Sequence, residues 1–121
     1  MMSPLEISEI CAQACDSKKA IDIKILDVGD ILNIAQYFVI CSGSSDRQVK
    51  AIVDSLIRQT RKLSIKPIGI EGERELEWVC VDFGDVIVHV FLNESRDFYK
   101  IERLFKDAES IDWHELNEDA V

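Results

Sequence analysis

The stretch Trp78-Val79-Cys80-Val81-Asp82-Phe83-Gly84-Asp85-Val86-Ile87-Val88-His89-Val90-Phe91 constrains the fold more than any other, because its apolar alternation on both sides of a glycine turn specifies a β-hairpin. With Gly84-Asp85 as a two-residue loop, glycine takes the first loop position, where a type II′ turn requires a positive φ. Phe83 then faces Val86, Val81 faces Val88 and Val79 faces Val90, which makes one face wholly apolar. The other face pairs Asp82 with Ile87, Cys80 with His89 and Trp78 with Phe91. Such a mixture suits a surface covered in part by a helix and offered in part to a partner.

The flanking segments supply what the hairpin packs against. Ser3-Pro4-Leu5-Glu6 has the spacing of a capping box with proline at the first helical position, and Ile7, Ile10, Cys11, Ala14 and Cys15 follow at helical spacing. A first helix over residues 4–18 is predicted. Ile21-Asp22-Ile23-Lys24-Ile25-Leu26 alternates as a half-buried strand, Ile31 to Gln36 reads as a turn or loop, and Tyr37 to Ser42 reads as a strand covered on both faces. From Ser45 or Asp46 onward, Val49, Ile52, Val53, Leu56, Ile57 and Leu63 trace one stripe of a second helix of about five turns. Residues 66–70 form a short edge strand, since Pro67 cannot donate to a sheet interior, and residues 71–75 form a charged loop. Phe98, Ile101, Leu104 or Phe105, and Ala108 give a third helix over residues 96–108.

This order predicts an α/β fold, a mixed five-stranded sheet flanked by helices. With 121 residues, 47% of them apolar, the chain can bury the core of one domain, expected over residues 1–108. Residues 109–121 read as an acidic, loosely ordered tail. No window approaches 18 consecutive apolar residues and the N-terminus lacks a signal-peptide profile, so a cytoplasmic protein with no membrane partner is expected. Cys11, Cys15, Cys41 and Cys80 include no Cys-x-x-Cys, and buried reduced thiols fit better than a metal site.

The net charge of −9 is uneven. Asp107, Glu109, Asp112, Glu115, Glu118 and Asp119 crowd the last 15 residues without a Lys or Arg, leaving 17 acids against 14 bases elsewhere. That balance provides no broad basic footprint, so little direct nucleic-acid contact is expected and a basic protein partner fits better.

Cys41-Ser42-Gly43-Ser44-Ser45-Asp46, where a strand turns into a helix, has the outline of a phosphate loop. A nucleotide-binding or nucleotidyltransferase enzyme using Gly43 to Asp46 is therefore the alternative to a binding protein. Against it, Asp46 would repel a phosphate, the lysine of a P-loop is absent, and no second strand carboxylate stands beside the turn to hold a metal. Ser44 or Ser45 as a plain helix cap explains the turn as well. No catalytic residue, metal ligand set or cofactor is assigned: Cys80 and His89 are two ligands at most, and no nucleophile elbow surrounds any serine. The aromatic residues concentrate in the hairpin and last helix, where with Glu77, Asp82 and Glu102 they can form an acid-rimmed docking patch.

Lys18-Lys19-Ala20-Ile21-Asp22-Ile23, Tyr37-Phe38-Val39-Ile40, Gly43-x-Ser45-Asp46-Arg47-Gln48-Val49, Glu71-Gly72, Trp78-Val79, Asp82-x-Gly84 through Phe91, and Arg96-x-Phe98-Tyr99-x-Ile101-Glu102 occur in this order. Over residues 5–108 the series resembles the ribosomal silencing factor family, also called Iojap-like. The resemblance implies a nucleotidyltransferase-like fold without catalytic carboxylates and a protein that is not an enzyme. It further implies a translational repressor that binds the large ribosomal subunit through its ribosomal protein fourteen and sterically blocks joining of the small subunit. The residues expected at the docking face are Trp78, Asp82, Tyr99, Glu102 and Phe105. The chain departs from the family at Gln36, where aspartate is common, and at Phe105, where tryptophan is. The segment from Glu109 on has no counterpart in the resemblance, and homodimerisation through the hairpin or an edge strand stays open.

Overall fold

The computed structural model describes residues 2–31, 33–99, 101–104 and 106–113; of residues 97–99, 102 and 104 it describes the backbone alone. Helix α1 (Pro4–Asp16) begins with the expected capping box, in which the Ser3 hydroxyl accepts from the Glu6 amide and the Glu6 carboxylate accepts from the Ser3 amide. It stops two residues short of the predicted end, where the amides of Ser17 and Lys18 turn back onto Gln13 and Cys15 carbonyls. Strands β1 (Ile21–Asp27) and β2 (Tyr37–Gly43) follow, and all seven β2 residues are buried. Helix α2 (Asp46–Lys62) is capped by Ser45, whose hydroxyl accepts from the Gln48 amide.

The edge strand β3 is shorter and later than predicted, Gly69–Glu71. Proline 67 stays outside the ladder, and the Ile68 amide makes the first bond to the next strand, at the Asp82 carbonyl. Strands β4 (Trp78–Asp82) and β5 (Val86–Leu92) pair in the register expected from the sequence: Trp78 with Phe91, Val79 with Val90, Cys80 with His89, Val81 with Val88, Asp82 with Ile87. The loop closes with the Phe83 amide donating to the Val86 carbonyl at 2.9 Å and with Gly84 at φ +94°.

After β5 the chain departs from the prediction. The predicted helix begins earlier, with helical residues over α3 (Asn93–Tyr99) and α4 (Ile101–Leu104), and the chain turns at residues 106–107, short of the predicted end, before strand β6 (Glu109–Ile111). The sheet therefore has six strands rather than five, in the order β3-β4-β5-β2-β1-β6. Only β2 and β5 run parallel; the other neighbours are antiparallel. Strand β6 lies in the segment read as a tail. It gives the otherwise open edge of β1 its backbone partners, pairing Ile111 with Ile25, and Trp113 is buried beyond it with its indole N–H directed at the Ile23 carbonyl, 3.4 Å away.

Period-two alternation assigns the two faces of the sheet. Tyr37, Val39 and Cys41 of β2 and Val86, Val88 and Val90 of β5 pack with Val79 and Val81 under α1 and α2, the larger core. Phe38, Ile40, Ile87 and Phe91 point the other way and pack with Leu26, Val28, Ala35 and Ile101 of α4. Cys11, Cys15 and Cys41 are buried thiols in the larger core, and burial raises the Cys11 pKa to about 12. No helix among the described residues is long and apolar enough to cross a membrane.

Candidate functional site

The face carrying Phe38, Ile87 and Phe91 also holds the residues singled out for docking. Trp78 is half-buried, stacked on its cross-strand partner Phe91 with ring centroids 5.1 Å apart. Its indole Nε1–H donates to Nδ1 of His89 at 3.1 Å, and Phe38 meets the same imidazole edge-on at 4.4 Å. Four rings from three adjacent strands thus form one cluster, brought together by the parallel pairing of Phe38 with Ile87 and of Ile40 with His89. Burial holds the His89 pKa down to about 4, so the ring is neutral, and accepting at Nδ1 places its proton on Nε2. That Nε2 is buried with no hydrogen-bond partner among the described residues. Neutral and enclosed by rings, His89 is built into the cluster.

Asp82 is placed beside this cluster with one oxygen committed: its Oδ1 accepts from the Gly84 amide at 2.7 Å and closes the hairpin turn. Glu77 is exposed at the opposite end of β4. Tyr99 and Glu102 fall in α3 and α4 by backbone, with side chains outside the described residues, and Phe105 lies outside them altogether. The partner-binding assignment of those three has no geometry to test it.

The hairpin register places His89 on this face, whereas the contribution of Phe38 to the cluster is not readable from the sequence. The alternation of β2 implied that Phe38 points opposite to Val39, but which strand would lie beside β2 was not readable. Arg96, which appears in the motif series without a role, is a structural tie. Its guanidinium is buried between three elements: Nη1 donates to the Ile21 carbonyl at 3.1 Å and to the Ser42 hydroxyl at 3.3 Å, and Nη2 pairs with Asp22 Oδ2 at 3.3 Å. Asp22 reaches it from a left-handed backbone, φ +49°, at an irregularity in the β1–β2 ladder. Arg96 so ties α3 to the start of β1 and the end of β2.

The Gly-Ser joint is filled by the chain itself. Gln48 Oε1 accepts from the Ser44 amide at 2.6 Å and the Ser44 hydroxyl at 2.9 Å, while Nε2 donates to the carbonyls of Lys18 and Lys19. A Cβ on Gly43 would stand 3.1 Å from the Val49 amide nitrogen, so its glycine lets α2 pack against the end of β2. Among the described residues no three His, Cys, Asp or Glu side chains gather as a metal site.

The family model described as "Ribosomal silencing factor during starvation" matches residues 2–121. The chain belongs to this family. The match takes in the C-terminal segment that the motif series left unassigned. The ribosomal silencing factor RsfS of Bacillus subtilis is 45% identical over 107 residues, covering 88% of this chain and 91% of that protein. A crystal structure of a Chromobacterium violaceum protein at 39% identity superposes with a TM-score of 0.83, covering 85% of this chain and 86% of that one. The mouse protein named "Mitochondrial assembly of ribosomal large subunit protein 1" is 35% identical over 91 residues, which span 73% of this chain and 40% of that protein. Family members therefore share this sheet, and the names of the Bacillus subtilis and mouse relatives concern the ribosome.

Proposed function

We propose that this chain is a cytoplasmic ribosome-associated silencing factor without catalytic activity, which binds the large subunit through ribosomal protein fourteen and keeps the small subunit from joining. The names of its relatives support the ribosomal association. The observation that carries the mechanism is the half-buried Trp78 held on His89 and Phe91, on a strand that Glu77 precedes and Asp82 ends. A fixed aromatic with an apolar body and a polar edge is the kind of anchor that dominates protein interfaces. The neighbouring carboxylates complement a basic ribosomal protein and speed encounter more than they add affinity. Repression then needs no chemistry, only occupation of the surface where the subunits meet.

Nucleotide binding at the joint has less support, because the Ser44 amide that would face a phosphate already serves Gln48. Cosedimentation with purified large subunits tests the proposal. The protein should pellet with them, and addition of small subunits should yield fewer joined ribosomes. A protein left in the supernatant at low salt would remove the basis of the reading.

A further inference from the structure

A chain of net charge −9 that sits on a polyanionic ribosome faces general repulsion, yet one end of this molecule is basic. Residues 55–70 contain Arg58, Arg61, Lys62 and Lys66 and no acid. Arg58, Arg61 and Lys62 share one side of α2 by their three- and four-residue spacing, and all four cations are exposed. None of the four makes an ion pair among the described residues, whereas Lys50, about two turns before Arg58 in the same helix, is paired with Asp54 at 3.1 Å. Arg61 and Lys66 line a groove of about 440 Å³ with Ile57, Ile65 and Pro67. Exposed Leu63 and Ile68 flank it, the latter 75% accessible.

Two of these cations have a local role. Arg61 and Lys62 lie in the last turn of α2, where positive charge offsets the helix dipole. That accounts for neither Arg58, a turn earlier, nor Lys66, beyond the helix end. The cluster also leads toward the docking face: the chain passes from Lys66 through Pro67 to Ile68, whose amide is bonded to Asp82.

We propose that this end of α2 and the segment after it form a second contact surface, for the phosphodiester backbone of ribosomal RNA. The inference rests on the large-subunit reading above. A guanidinium and an ammonium across one groove suit successive phosphates, and the acidic remainder of the chain confines RNA contact to this pole. Net charge alone suggested little nucleic-acid contact; the distribution of that charge makes the local exception.

The test compares two double reversals of equal net charge in binding to purified large subunits across a salt series. Arg61→Glu with Lys66→Glu should weaken binding about tenfold or more at ~0.1 M salt and flatten the salt dependence by about two phosphate contacts. Lys18→Glu with Lys19→Glu, on exposed residues that do not line the groove, should do far less. Equal losses in both variants, or none in either, would overturn the proposal while leaving the docking reading intact if the wild type still binds. A wild type that fails to bind removes both. A photo-crosslinking residue placed at Leu63 reads the partner directly: adducts to RNA support the assignment, and adducts confined to a ribosomal protein overturn it.

Discussion

The indole of Trp78 donates its hydrogen bond to His89, 3.1 Å across the β4–β5 ladder, and the histidine that accepts it is buried and neutral. The pair links the half-buried anchor of the candidate docking face to the second core of the sheet. It also makes that face sensitive to acid.

Burial holds the folded His89 pKa at about 4, below the ordinary 6.5. The unfolded chain therefore binds the extra proton first as pH falls, and the stability contribution is complete above pH 6.5 and lost progressively from there to about pH 4. The loss at the low end is on the order of 3 kcal/mol. Urea unfolding at pH 7, 5.5 and 4.5 should show it, and His89→Phe should flatten this part of the profile. A slope unchanged by that substitution would assign the acid sensitivity elsewhere.

Gly72 stands at φ +84° with the Trp78 carbonyl 2.0 Å from where a Cβ would be. Gly72→Ala should cost about 3 kcal/mol or more, from a left-handed backbone and a backbone clash together. Gly69→Ala, whose Cβ would meet nothing within 4 Å, should cost under about 1 kcal/mol. Denaturation midpoints of the two variants give the comparison.

Trp78→Ala should weaken large-subunit binding by about 2 kcal/mol or more, roughly thirtyfold. Asp82→Ala should act mainly on the hairpin turn, lowering stability by about 1 kcal/mol by removing the acceptor of the Gly84 amide. Parallel measurements of affinity and unfolding separate the two; an unaltered affinity for Trp78→Ala removes that residue from the docking face.

Arg96→Met should cost about 2 kcal/mol, because it removes two charge-assisted hydrogen bonds and leaves the Ile21 carbonyl and the Ser42 hydroxyl only their longer contacts with each other and with Asn93. Asp22 is 56% exposed at its side chain, so Asp22→Asn should cost under about 1 kcal/mol. Equal losses would mean that the ion pair, and not the buried hydrogen bonds, holds α3.

Gln48→Ala should lower stability by about 1–2 kcal/mol, since it frees the Ser44 amide and the carbonyls that end the α1 turn. It should not create ATP affinity. Measurable binding of ATP with Mg²⁺ to the wild type by calorimetry would revive the enzyme alternative.

Local chemistry made part of this structure readable in advance. The capping box at Ser3 and Glu6, the Ser45 cap and the β4–β5 register follow from interactions within a few residues or across one tight turn. The end of the third helix is not readable, because Ala108 fits the helical period of Phe98 and Ile101 while the chain turns at residues 106–107 and enters β6. A three-residue strand such as Glu-Ser-Ile carries no periodic signal, and its reason is the open edge of β1 far away in the chain.

Which faces of β1, β2, β4 and β5 are apolar, where the first two helices begin and which turn closes the hairpin follow from the order of residues alone, since these depend on neighbouring side chains and backbone sterics. That β2 lies beside β5, which brings Phe38 to the Trp78–His89 pair, and that Arg96 closes on Ile21, 75 residues away, are set by the packed fold. Such contacts are chosen by the demand that every buried backbone and polar group find a partner. Sequence proximity does not encode that demand, and the whole fold has to satisfy it at once.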